Sequence, residues 1–252
     1  NMVNPDDNFS LAQYHQLTYR AIDEIQRRNK LALLVGGSGL YVWSVLEGWG
    51  IPQVPPDLEF RHSLEEKAAR VGKDELYQEL MEVDPVAAQR IDRRNVRRTI
   101  RALEVYRDAE TPLSQLQHKK APPFNTLIIG LTTNREELYR RIDLRVDEMI
   151  EQGLVAEVEG LVNMGYDFDL PAMSGIGYKQ IGMFLKGELT LAAAIQQIKF
   201  ETHRFVRHQY NWFRLGDDRI KWFDIRDKAE SEIATLVAKF IRGGQSKVFT
   251  VK

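Results

Sequence analysis

The sequence contains no cysteine, which excludes disulfides, thiolate metal sites and cysteine nucleophiles together. It has no run of about 18 consecutive apolar residues, the length a membrane-spanning helix needs. The stretch Asn1–Pro5 carries neither a charged n-region nor an apolar h-region, so no secretory signal is expected. Asn1 ahead of Met2 reads as a leftover tag residue, with Met2 as the encoded start. These absences together predict a cytoplasmic protein with no membrane partner. An excess of one charge is also missing, with 35 Lys+Arg against 36 Asp+Glu. That balance on its face argues against a nucleic-acid partner, but a sum says nothing about distribution.

What is present is enough apolar sequence for a core: 43% of the 252 residues are hydrophobic and only 9 are proline, unlike a disordered chain. Helical periodicity runs from Leu11 to about Arg28, with Ser10 placed to cap it. The uninterrupted run Leu31–Val35 suits a buried parallel strand and ends at Gly36-Gly37-Ser38-Gly39. A helix over residues 40–46 follows, closed by Gly48. Helix, strand, glycine turn and helix is α/β grammar. Pro52, Pro55 and Pro56 mark a boundary, after which residues 57–107 read as helical and highly charged. Pro122 and Pro123 mark the return to a second strand over residues 127–131. Helices are predicted over 135–152, up to about Phe213, and over 227–241. The expected layout is an α/β core (residues 1–56 and 126–252) interrupted by a helical insertion (57–125).

The charge is unevenly placed. Between Val86 and Arg107 there are seven arginines against Asp92 and Glu104. In a continuous helix Arg90, Arg94, Arg97 and Arg101 would share a face. A solvated face braced by acids elsewhere fits this run, and so does a phosphate-binding stripe. The use of Arg favours the second, because a guanidinium fork grips phosphate bidentately where Lys would serve solubility equally well. A second basic segment, Lys199–Arg214, interleaves its cations with Phe205, Tyr210, Trp212 and Phe213. Cations on phosphates and aromatic faces on bases is how single-stranded RNA is gripped; an ordinary amphipathic helix with core aromatics fits as well.

The glycine turn Gly36-Gly37-Ser38-Gly39 sits between a strand and a helix, where backbone amides can approach an anion. On its own it is also just a turn. Ser38 has no adjacent base, which gives a serine hydrolase little support. His15, His62, His118, His203 and His208 show no metal-ligand spacing, and no metal ligand is assigned.

The ordered series LLVGGSGLYV, LEGW, DPVAAQRI, RRTIRALEVY, SGIGYKQI, LKGELT and HRFVRHQYNWFR resembles the tRNA dimethylallyltransferase (tRNA isopentenyltransferase) family, from about Asn4 to Phe223. The resemblance implies a P-loop-kinase-like α/β core with a parallel sheet, and a mainly helical insertion that holds the tRNA anticodon stem-loop. It implies transfer of a dimethylallyl group from dimethylallyl diphosphate to N6 of the adenosine beside the anticodon, with Mg2+ and with the target base flipped from its stack. By the same resemblance Ser38 stands beside the reacting amine, and Gly36, Gly37 and Gly39 lie near the diphosphate. Arg61, Arg97, Arg98 and Arg101 would contact tRNA from the insertion. The loop Ser174, Gly175, Gly177, Tyr178 and Lys179 would do so too, with Arg207, His208, Gln209, Trp212 and Arg214 of the last basic segment. His203 and His208 stand where the family commonly has arginine.

Family members open with a Gly-x-Thr-x-Ser-Gly-Lys-Ser/Thr phosphate loop and an Asp-Ser motif, and neither occurs in these 252 residues. The expectation is therefore a shortened member, weakly active or inactive alone, whose Mg2+ ligands and general base lie in the missing segment. A parallel sheet short of a central strand would also expose unpaired backbone groups. A non-catalytic RNA-binding remnant and an adenylate isopentenyltransferase are the alternatives.

Overall fold

The computed structural model describes residues 3–226, 229–243 and 247–251, the last of these by its backbone. The chain divides into two compact units. The first takes residues 1–10, 20–42 and 124–252, and the second takes 11–19 and 43–123. The helical unit is thus wider than residues 57–125, because it also claims 11–19 and 43–56.

The first unit is α/β. Strands β1 (Ala32–Val35), β2 (Asn125–Thr132), β3 (Ile220–Asp224) and β4 (Lys247–Val251) form one parallel sheet in the order β1-β4-β2-β3. β4 lies between β1 and β2 and is paired with both, Val248 standing opposite Ala32 on one side and Thr126 on the other. Pairing is therefore continuous across the four described strands. β2 is central, and Ile128, Ile129 and Gly130 are buried along it. Gly130 stands opposite Trp222 of β3, and a Cβ there would lie 2.4 Å from the indole ring, so only glycine admits the tryptophan.

β1 corrects one expectation. Its apolar run does form a parallel strand, but Leu33 is 58% exposed and Val35 71% exposed. β1 is an edge strand, and alternate residues of a strand face opposite sides; within the described residues one side of it is left open. Four consecutive apolar residues signal the strand but not a cover on both faces.

Beside the sheet, α8 (Arg135–Glu151), α9 (Leu154–Asn163), α10 (Tyr178–Leu185) and α11 (Leu191–Trp212) enclose a core of Val146, Leu154, Val158, Met173, Ile181 and Ile198. Asn134 caps α8 and Thr190 caps α11, each side-chain oxygen accepting a free amide of the first turn. α12 (Ala229–Arg242) packs on β2.

The second unit is built from α3 (Leu58–Val71), α4 (Lys73–Val83), α5 (Pro85–Arg90), α6 (Val96–Ala109) and the single turn α7 (Leu113–Leu116). Leu64, Leu76, Leu80, Ile100, Leu103 and Val105 make its core. Asp84 is buried at the α4–α5 corner and fully used: Oδ1 accepts the Ala87 amide and the Ser114 hydroxyl, and Oδ2 accepts the Ser114 amide. The remaining helices, α1 (Leu11–Arg27) and α2 (Gly39–Leu46), run across the dividing line between the units.

Candidate functional site

In the α/β unit the glycine turn follows the carboxyl end of β1, the end of a parallel sheet where open α/β folds bind ligands. Ser38 is exposed immediately before α2, and its carbonyl accepts the Val42 amide. The turn is braced by the last two turns of α11. Gln209 Nε2 donates to the Gly37 carbonyl at 3.0 Å. Trp212 lies so close to Gly39 that a Cβ there would sit 2.1 Å from the indole Cγ. The spacing of Phe205, Gln209 and Trp212 puts all three on one stripe of α11. His208, three residues after Phe205 and four before Trp212, shares that stripe while Arg207 falls off it; both are exposed and form no ion pair among the described residues. Arg214, just past the helix, is exposed as well. Gln209 and Trp212, expected at the RNA, are thus spent partly on holding the glycine turn. Phe213 is core, at 1% exposure.

Residues 174–179, expected as a loop, belong to the same unit, but Tyr178 and Lys179 already form the first turn of α10. The Ser174 hydroxyl donates to the Pro171 carbonyl at 2.6 Å, and the buried Gly177 amide donates to Gln180 Oε1 at 2.9 Å. Tyr178 donates its hydroxyl to Glu157 at 2.5 Å. That bond, with burial second, pushes the phenol up to about 12. Gly175 and Lys179 are exposed, as is Ile176 at 42%. Ile176 lines an apolar groove of about 520 Å³ with Ile142, Val146, Met149, Ile198 and Phe205.

His203 lies flat on Tyr139, with ring centroids 4.0 Å apart. Its Nε2 is 2.9 Å from Asp143 Oδ1, off the line of a hydrogen bond. At this position the side chain faces α8 rather than an open surface. Glu137 braces α8 through both Arg140 and Arg141, and these two hold its carboxyl down at about 2.

In the helical unit the arginine stripe takes a different form from the one expected. α5 stops at Arg90 and α6 begins at Val96, so Arg90 and Arg94 do not share a helix face with Arg97 and Arg101. Two side chains make the break: Asp92 takes the amide and guanidinium of Arg94, and the Asn95 side chain caps α6 at the Arg98 amide. Arg97 and Arg98 are exposed, with no ion pair among the described residues. Arg61 and Arg101 converge instead on one carboxylate, Glu104, whose side chain is 0% exposed. Burial alone would push that carboxyl up; hydrogen bonds from Arg61, Arg101 and the Asp57 amide outweigh it and hold it below its ordinary value. Sequence reasoning counted Glu104 only as a balancing charge. The usable signal was an acid on the apolar face of α6, beside Ile100 and Leu103.

Among the described residues no three His, Asp or Glu side chains converge to hold a metal ion, so no residue here is assigned to Mg2+. No helix among them is long and apolar enough to cross a membrane.

A family model described as IPP transferase matches residues 1–216. A tRNA dimethylallyltransferase of Dehalococcoides mccartyi is 49% identical over 242 residues, covering 96% of this chain and 74% of that protein. One from Thermomicrobium roseum is 47% identical over 224 residues, 89% of this chain and 68% of that protein. Among solved structures, the full-length tRNA isopentenylpyrophosphate transferase of Bacillus halodurans aligns with a TM-score of 0.64 at 35% identity, over 96% of this chain and 76% of that one. A eukaryotic dimethylallyltransferase acting on tRNA shares the fold, with a TM-score of 0.77 at 22% identity over 97% of this chain and 65% of that one. With most of its length matched, the chain belongs to the IPP transferase family, whose relatives named here are tRNA-modifying prenyltransferases.

Proposed function

We propose that this chain serves dimethylallyl transfer to tRNA, from dimethylallyl diphosphate to N6 of the adenosine beside the anticodon. The observation that carries the reading is the braced glycine turn of the α/β unit, at the carboxyl end of β1, in a chain of this family. Such a reaction needs a polar group near the attacking amine, donors near the departing diphosphate and a site closed to water. Ser38 supplies an exposed hydroxyl in the turn, and we assign the backbone of Gly36, Gly37 and Gly39 to the neighbourhood of the diphosphate. Gln209 and Trp212 keep the turn in shape. We assign the 174–179 loop, Arg207, His208 and Arg214 to tRNA from this unit. From the helical unit we assign Arg61, Arg97, Arg98 and Arg101 to the anticodon stem-loop. Mg2+ belongs to the reaction of the family.

The 252 residues contain no Gly-Lys-Ser/Thr sequence. We therefore expect them, assayed by themselves, to bind a stem-loop well and to turn it over slowly. The test is labelled dimethylallyl transfer to an anticodon stem-loop and to AMP with Mg2+, beside a binding titration in salt. Binding should weaken steeply as salt rises, by roughly 0.7–0.9 of a log unit per log unit of salt for each phosphate neutralised. R97A/R98A should flatten that slope by about 1–2. A flat slope in the parent chain, or turnover on AMP exceeding that on the stem-loop, would overturn the assignment.

A further inference from the structure

We infer that Glu104 is a positioning residue for tRNA, its buried carboxylate locking Arg61 and Arg101 into a paired guanidinium clamp for a backbone phosphate. The inference rests on the tRNA reading of the helical unit given above.

Each Glu104 oxygen accepts two hydrogen bonds. Oε1 takes the Asp57 amide at 2.8 Å and Arg61 Nε at 2.8 Å. Oε2 takes Arg61 Nη2 at 2.8 Å and Arg101 Nη1 at 2.5 Å. Arg101 is fixed a second time by the Val54 carbonyl, 2.9 Å from its Nη2. The carboxylate is saturated while the arginines are not. A guanidinium carries five N–H donors, and Arg61 and Arg101 each use two, leaving three apiece. The two side chains are 31% and 32% exposed over a carboxylate that is 0% exposed. Because both touch Oε2, their nearest nitrogens are at most about 5.3 Å apart. Two cations that close repel unless an anion lies between them, and here the anion sits underneath. The pair keeps a net charge of one, and its spare donors sit on side chains left about a third exposed, the kind of fork a phosphate accepts.

A purely structural role explains this less well. Burying a carboxylate costs several kcal/mol, and an apolar side chain in its place is often as stable or more so. Arg97 and Arg98, by contrast, are exposed charges on mobile stems, fit for attraction rather than register. The surroundings stiffen the clamp further. Asp57, whose amide reaches Glu104, caps α3 through the Phe60 amide at 2.9 Å. Its Oδ2 also holds Arg107 at 2.6 Å, and that guanidinium lies 3.9 Å over the Phe60 ring.

The sign of one substitution separates positioning from neutralisation. Glu104→Gln keeps the shape and raises the net charge by one. If Glu104 merely neutralised the arginines, stem-loop binding would tighten and its salt slope would steepen. If it positions them, binding weakens about tenfold and the slope falls by about one phosphate, with the circular-dichroism spectrum of the parent retained. Should E104Q fail to fold, R61K/R101K with Glu104 intact makes the same test. It preserves every charge but lacks the bidentate fork, so a comparable loss upholds the clamp and unchanged binding overturns it. R97A/R98A is the reference. If that pair weakens binding while neither E104Q nor R61K/R101K does, positioning falls and the tRNA reading stands. If R97A/R98A changes nothing either, the tRNA reading of the helical unit falls with it.

Discussion

Tyr178 shows how much a single bond can set the behaviour of a loop expected to meet RNA. Its hydroxyl is committed to Glu157, so the phenol anchors the 174–179 loop and leaves Lys179 to reach outward. The folded pKa lies above the ordinary value of 10.0, at about 12. The bond therefore adds stability that is complete below pH 10.0 and is lost as pH rises toward about 12. A tyrosinate absorbance titration should show a late component near that upper value, absent in Y178F and moved back toward 10.0 in E157Q. Glu104 behaves in the opposite sense. Its folded pKa is depressed below 4.5, so its contribution is present above that pH and disappears as pH falls through the folded value. Acid should therefore loosen the Arg61–Glu104–Arg101 cluster, and a melting temperature followed from pH 6 to pH 3 should fall less steeply in E104Q than in the parent.

At the scale of elements, α11 is the organising piece of the α/β unit. One stripe of it carries Gln209 and Trp212 to the glycine turn, while Arg207 stands on another face. Gly39→Ala should consequently destabilise by about 1–3 kcal/mol through overpacking on the indole. Trp212→Ala should suppress much of that penalty, and additive losses in denaturant melts of the single and double variants would refute the contact. These packing partners show what could and could not be read in advance. Helix and strand positions follow from apolar spacing and caps, so α1, β1, α2, β2 and α8 lie where periodicity puts them. The arginine stripe did not survive, because Asp92 and Asn95 spend their side chains on local backbone and end α5 before α6 begins. Four apolar residues at β1 signalled a strand but carried no information about what covers Leu33 and Val35. Gln209 reads as a polar residue among cations, and only the fold, bringing it to Gly37 from 172 positions away, reveals it as a brace.

For the whole molecule, near-zero net charge conceals only local clustering: Arg97 and Arg98 stand exposed together on α6, while Glu137 of α8 braces its own helix. The units also differ in how their contacts are spread along the chain. The helical core joins residues from Leu64 to Leu113, whereas the sheet must bring Ala32 to Val248 before β1 has a partner. Closing a long loop costs entropy before any contact rewards it, and distant pairings slow folding. The sequence happens to provide reporters for each unit, Trp43 and Trp49 in one, Trp212 and Trp222 in the other. In stopped-flow refolding, W212F/W222F should report a fast phase and W43F/W49F a slower one. Between the two phases the helical unit would stand folded while the sheet was still being assembled, so that on the tRNA reading proposed above, competence to bind would precede competence to react.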